Sequence, residues 1–361
     1  MMKMDFVHEN LWYPSMVDIV IKPFFLKIQA VGIAKIKISI SNQNMGGDMI
    51  DLATQLKSDM PQILTVEEQN VKLSEWLSEH SSLIRGQINQ HGALLIRGLR
   101  FHSSRQFAQA MSQITDKKLL QYTYRSTPRT ELKGNVYTAT EYPENQTIPQ
   151  HNENSYANLW PTRIGFLCMI PASTGGETPI SNSHAVYKRI PKEIREKFER
   201  KKIMYVRNYS DIDLPWQEVF QTNNKSDVGA YCESNNLQFQ WLENGVLQTS
   251  QINQASIRHP QHNIPVWFNQ AHLFHLSNLE FQVQSTLLKS YGEENLPRQT
   301  YFADKSKIPV VELDIIREAY EQEKVTFGWQ KNDFLILDNI LFGHGRNPYT
   351  GMRKVLTAMT V

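Results

Sequence analysis

Apolar residues fall into a helical rhythm at Leu73, where Leu73, Trp76, Leu77, Ile84 and Ile88 come to one face. Gly92 stands just past the end of that helix, a place that favours a left-handed residue. Ala93, Leu94, Leu95 and Ile96 follow as a buried strand closed by Arg97 and Gly98. Ser103 or Ser104 then caps a second helix carrying Phe107, Met111 and Ile114 on one side.

Residues 121–150 are rich in Tyr, Thr and Arg, with a strand expected over 136–140 leading into Ile148, Pro149 and Gln150. The run 163–169 reads as a strand, the pair Gly175 and Gly176 as a turn, and the residues up to Ile180 as the returning strand. A helix is expected near Pro191 with Glu193, Glu196 and Glu199 exposed, a strand over 266–269, and a helix over 315–325. Near the end, Asn332 and Asp333 mark a turn, 334–337 a strand, Asp338 and Asn339 a break, and 355–359 the closing strand. Residues 211–254 are polar, rich in Asn, Gln and Ser, and read as an insertion or lid over the core. Residues 1–60 are the least readable stretch, an N-terminal extension; 34–40 alternates like a strand and 41–48 resembles a linker. Residues 61–361 are therefore expected to form the main domain. Helices early and many short strands later predict a mainly β chain with flanking helices, an antiparallel sandwich or jelly roll.

Composition narrows the function classes. With 38 basic and 36 acidic residues the formal charge is +2, and no basic stripe with interleaved aromatics points to nucleic acid. Lys22, Lys27, Lys35 and Lys37 interrupt the apolar run 17–40 too often for a bilayer helix, and no cleavable leader pattern follows it. No membrane partner is expected. Two cysteines, Cys168 and Cys232, make no disulfide framework and suit a reducing cytoplasm as buried, inert thiols.

The candidate chemistry is metal binding. In His151-Asn152-Glu153 an imidazole and a carboxylate two residues apart point the same way on extended chain. A second imidazole from a distant strand would complete the two-histidine, one-carboxylate face used by non-haem Fe(II) oxygenases. His-x-Glu alone is a weak signal in a chain with eleven histidines. His259 and His262 lie in a turn sequence and read as solvated. His272 and His275 share a helical spacing but have no nearby carboxylate. His344 differs: it follows a strand and a break, and is flanked by Gly343 and Gly345. Arg353, placed to return on the next strand, offers a planar fork for a carboxylate beside such a site. Arg346 is the nearer competitor, in a proline-containing loop that suits a surface or structural role.

From Leu73 to the C-terminus the chain resembles the TauD/TfdA family of Fe(II)/2-oxoglutarate-dependent dioxygenases, most closely its SyrP-like, clavaminate-synthase-like branch. The likeness is carried by Thr140-Glu141-Tyr142-Pro143, His151-Asn152-Glu153-Asn154-Ser155-Tyr156 and Gly175-Gly176-Glu177-Thr178-Pro179. Trp216-Gln217-Glu218-Val219-Phe220-Gln221-Thr222, Trp267-Phe268-Asn269-Gln270-Ala271-His272 and His344-Gly345-Arg346-Asn347-Pro348 continue it in family order. The resemblance implies a double-stranded β-helix (jelly-roll) core, Fe(II) held by His151, Glu153 and His344, and 2-oxoglutarate held by Arg353 and Thr178. It implies O2-dependent hydroxylation of a small molecule, often an amino acid, free or tethered to a carrier protein, in secondary metabolism such as antibiotic biosynthesis. Glu153 stands where the wider family has aspartate, a branch trait; a related halogenase would have a small residue there. Asn332 replaces a usual glycine and tolerates the left-handed turn. Arg129, Asn154 and Asn269 are candidate substrate contacts, each with an ordinary structural hydrogen bond as the competing reading. Desaturation or epoxidation on the same centre, a sulfonate dioxygenase, and a non-catalytic jelly-roll binding protein remain the alternatives.

Overall fold

The first apolar pattern folds as it reads. Leu73–His91 is a helix that ends on Gly92 at φ 78°, the glycine N–H closing back on the Ile88 carbonyl. Ser104–Thr115 is the second helix, and the Ser103 hydroxyl accepts the backbone N–H of Gln106 as its N-cap. The computed structural model describes residues 36–38, 61–67, 72–121, 124, 126–127, 129–210, 212–242 and 245–361. Within the stretch 34–40, Ile36–Ile38 is a strand, paired antiparallel with Gln62–Val66; the linker expected at 41–48 lies outside the described residues.

The main sheet has eight strands in the order 36–38, 62–66, 93–97, 334–338, 163–170, 354–360, 136–138, 131–132. Its neighbours run antiparallel except for Gln62–Val66, which lies parallel to Ala93–Arg97. Both faces are covered, which explains the unbroken apolar runs. Leu94, Ile96, Phe334 and Ile336 pack under the two helices, against Trp76, Leu77, Ile84, Phe107 and Met111. Their alternate neighbours Ala93, Leu95, Leu335 and Leu337 turn to the other face, among Phe166, Ile180 and Phe342. Opposite that face is a short sheet of Ile148–His151, Phe342–Arg346 and Ile180–Asn182. Phe166 of the main sheet lies 5.0 Å, ring to ring, from His344 of the short sheet. The two sheets thus form a jelly-roll sandwich with helices outside.

A separate antiparallel sheet, in the order 238–241, 247–253, 203–209, 298–302, was not legible in the apolar pattern. Its buried positions include Arg207, Asn208, Thr249, Gln251, Asn253, Gln299 and Thr300. Polar side chains inside a sheet erase the alternation that would announce it. Much of 211–254 contributes here, as the helices Trp216–Phe220 and Lys225–Ser234 and the strands Gln238–Trp241 and Leu247–Asn253.

Three local expectations change. The helix expected over 315–325 is Val310–Gln322, begun by Pro309, whose ring presets the backbone for a helix start. His259 is buried rather than solvated, because its Nε2 meets the Asp338 carboxylate at 3.1 Å. Glu199 is half-buried and accepts the Ser256 hydroxyl at 2.6 Å. Both cysteines are buried, and burial pushes each thiol up to about 12. Asn332 takes φ 70° in its turn. Among the described residues, no helix is long and apolar enough to cross a membrane.

One ion cluster ties the polar sheet to the loop at Ser126. Arg298 forks onto Asp213 at 2.6 and 2.5 Å and donates to the Ser126 carbonyl at 2.5 Å, while Arg207 stands 3.5 Å from the same carboxylate. Burial alone would raise the Asp213 carboxyl, but the two guanidiniums outweigh it and hold it at about 2. A depressed folded-state pKa stabilises above the unfolded value and loses that contribution as pH falls toward the folded one. The predicted loss is about 2 kcal/mol between pH ~4 and ~2. Urea melts across that range should show it in the wild type and show it flattened in Asp213→Asn. A wild-type slope retained by the variant would assign the acid loss to other groups.

Candidate metal centre

His151 ends its strand directly opposite His344 in the register of the short sheet. Their ring centroids are 4.8 Å apart. Glu153 lies in the turn just beyond that strand, not on it, and is held there by Asn339. The Asn339 Oδ1 accepts the Glu153 N–H at 2.7 Å, and its Nδ2 donates to the Glu153 carbonyl at 3.0 Å and to the Pro161 carbonyl at 2.8 Å. Asn152 points the other way, fully buried, donating to the Ser183 hydroxyl at 2.9 Å and the Asn339 carbonyl at 2.7 Å. Gln270 closes the turn from outside by donating to the Asn152 carbonyl at 2.8 Å. Sequence reasoning took Asp338 and Asn339 for a break and missed this role; the signal was an amide side chain in a buried turn.

One donor atom from each of His151, Glu153 and His344 lies within 4.8 Å of the others. The His151 Nδ1 is 2.8 Å from the Pro149 carbonyl. A carbonyl only accepts, so Nδ1 carries the proton and Nε2 keeps a bare lone pair. Burial, then the His344 charge, lowers His151 to about 4, so it is neutral at pH 7. For Glu153 burial works upward, but Arg129 beside it and the hydrogen bond from His344 hold the carboxyl well below its usual range. The His344 Nε2 faces Glu153 Oε2 at 3.7 Å. Its Nδ1 is buried with no hydrogen-bond partner among the described residues, so packing against Phe166 sets the ring. Two neutral-capable imidazoles and one ionised carboxylate converging from one side suit a divalent iron with positions left open. His272 and His275 do not join them: His272 donates to the Gln150 carbonyl (3.1 Å), and the His275 Nδ1 faces the Ser277 hydroxyl.

The cavity over this cluster is walled by Thr178, Arg353, Arg129 and Phe166. The Arg353 Nε donates to the Gly176 carbonyl at 2.9 Å, and no carboxylate pairs with it among the described residues. Burial lowers it to about 10, with Arg346 nearby adding to the effect, yet it stays charged at neutral pH. Gly176, at φ 72°, makes this possible, since a Cβ there would stand 2.9 Å from the Arg353 Cδ. Thr178 is buried with its hydroxyl accepting the Trp329 indole N–H at 3.2 Å. A half-buried, accessible cation beside a hydroxyl fits the far carboxylate of a chelating 2-oxo acid. Arg346 is structural and buried: its guanidinium donates to the carbonyls of Tyr142, Pro143 and Gln146.

Of the substrate candidates, Arg129 reaches the cluster, donating to Glu153 Oε2 at 2.7 Å. Asn154 is buried at φ 57°, its Oδ1 without a partner among the described residues, but it does not line the cavity. Asn269 is spent elsewhere: its Nδ2 donates to the Ala255 carbonyl and its Oδ1 accepts the Ala271 N–H.

Known proteins are similar to this chain over most of its length. The family described as "Taurine catabolism dioxygenase TauD, TfdA family" matches residues 54–360. The chain is 41% identical over 298 residues to the dapdiamide synthesis protein DdaC of Enterobacter agglomerans, covering 82% of this chain and 90% of that one. It is 28% identical to a clavaminate synthase-like protein of Arabidopsis thaliana, over 75% of this chain and 82% of that one. Among solved structures, the PvcB protein of Pseudomonas aeruginosa aligns over 83% of this chain and 84% of that one, at 14% identity and TM-score 0.48. The chain belongs to the TauD/TfdA family and is an Fe(II)/2-oxoglutarate-dependent oxygenase.

Proposed function

We propose that this oxygenase hydroxylates an amino acid, free or bound to a carrier protein, in secondary metabolism, with His151, Glu153 and His344 as iron ligands and Arg353 and Thr178 as the 2-oxoglutarate site. The observation that carries the pathway reading is the 41% identity, spanning nine-tenths of its partner, to a dapdiamide synthesis protein. The site reading is supported by the convergence of three donors within 4.8 Å. When bound, iron with 2-oxoglutarate would use O2 to supply an oxidant able to take hydrogen from an unactivated carbon, 2-oxoglutarate leaving as succinate and CO2. The chain's residues supply the rest. His151 and His344 bind as neutral bases, and Glu153 brings the negative charge. Arg353 fixes the cosubstrate by its far carboxylate, and Thr178 offers a hydroxyl beside it. Phe166 supplies an apolar wall beside His344. A cytoplasmic setting suits the two unoxidised, buried thiols.

Two measurements check this. Arg353→Ala should raise the KM for 2-oxoglutarate about 10- to 100-fold, the loss of a charge-assisted hydrogen-bonding group. An unchanged KM would remove Arg353 from the cosubstrate site. Free and thioester-bound amino acids, supplied with Fe(II), 2-oxoglutarate and O2, should give succinate together with a product heavier by one oxygen. A product lighter by two hydrogens would make the enzyme a desaturase. Succinate formation driven by taurine instead would return the sulfonate reading.

A further inference from the structure

Glutamate is a looser ligand than aspartate, because one more side-chain torsion must be fixed to aim its carboxylate. Asn339 immobilises only the backbone of Glu153. The carboxylate itself is gripped by Arg129, whose NH2 donates to Oε2 at 2.7 Å with both side chains almost fully buried. Arg129 is in turn held on either side. Three residues before it, the Ser126 carbonyl is tied to Arg298, itself forked on Asp213. One residue after it, Thr130 donates its N–H and its hydroxyl to Glu141 Oε1 at 3.1 and 2.7 Å, and its N–H also reaches the Thr138 hydroxyl at 2.9 Å. The clamp is therefore built before any metal arrives.

We propose that Arg129 is a positioning residue for the metal: it holds the Glu153 carboxylate, through the oxygen that also faces His344, so that the longer side chain meets the ion in a fixed orientation. The proposal rests on the reading of Glu153 as an iron ligand. A guanidinium so close to a metal site has two opposite consequences. As a competing cation it would weaken metal binding; as a brace it strengthens it by removing the freedom of the ligand. The structure favours the brace. Arg129 and Glu153 are a buried pair, and drawing the carboxylate away would leave a buried guanidinium uncompensated, so the pair stays together. Orienting partners of metal ligands are commonly worth 10- to 100-fold in metal affinity. Arg129 also lines an outer cleft beside Glu141 and Glu218, which makes direct substrate contact the rival role.

The test is anaerobic calorimetric titration of the full chain with Fe(II) alone, comparing wild type, Arg129→Gln, Arg129→Met and His151→Ala. Arg129→Gln should weaken Fe(II) binding about 10- to 100-fold. In a Glu153→Asp background, where the shorter carboxylate is out of the clamp's reach, the same substitution should change affinity less than about 3-fold. Wild-type or tighter affinity in Arg129→Gln, with His151→Ala weakened, overturns the brace alone. A higher substrate KM with unchanged Fe(II) affinity does so too, leaving Arg129 a substrate contact. Equal Fe(II) affinity in wild type and His151→Ala removes the metal reading and the proposal with it. Thermal melts accompany each variant; if Arg129→Gln does not fold, a folded Arg129→Met with wild-type affinity overturns the brace, because methionine keeps most of the length and loses the donor.

Discussion

Everything at the centre hangs on the side chain of Asn339. It sits in the turn between two strands of different sheets, Phe334–Asp338 and Phe342–Arg346, and bonds both backbone groups of Glu153. The residue before it, Asp338, accepts the N–H groups of Ile340 and Leu341 through Oδ1, at 2.9 and 3.1 Å. Its other oxygen is held by Arg163 at 2.8 Å and His259. One short turn therefore fixes the place of Glu153 and the start of the strand that carries His344. A polar turn so deeply buried is stable only because each of these groups has a partner.

The chamber is also organised by charge. Arg346 is satisfied by three carbonyls and shapes the loop 142–146. Arg129 is matched by Glu153. Arg353 is left with one backbone carbonyl, and burial already makes its charge costly. Among the described residues Arg129 and Arg346 have their partners inside the protein, whereas half-buried Arg353 has one backbone acceptor, which suits it to the anion proposed for it. In the proposed reading the cation and the far carboxylate of a chelating 2-oxo acid take separate places in this cavity.

The sequence showed the two-sided main sheet plainly, since Leu94 and Leu95, or Phe334 and Leu335, are apolar on both faces. His151, Glu153 and His344 stood out only with the surrounding family motifs, and the register that sets His151 opposite His344 accounts for their meeting. Other parts could not be read. The polar sheet hides Arg207, Thr249 and Gln251 in its interior, so its strands lack an apolar alternation. His259 looked solvated beside Pro260 because its partner, Asp338, is distant in sequence. The grip of Arg129 on Glu153 has no local signature either: the two residues are 24 apart and meet only because loop and turn are each pinned elsewhere.

One chamber is proposed to bind iron through His151, Glu153 and His344 and 2-oxoglutarate through Arg353. Anaerobic titration of the purified protein with Fe(II) and 2-oxoglutarate tests it directly, by the visible charge-transfer absorption of the iron chelate. The band should appear with the wild type, be absent in His151→Ala, and need far more 2-oxoglutarate in Arg353→Ala. A folded wild-type protein that never develops the band, or a His151→Ala protein that develops it unchanged, would rule this site out.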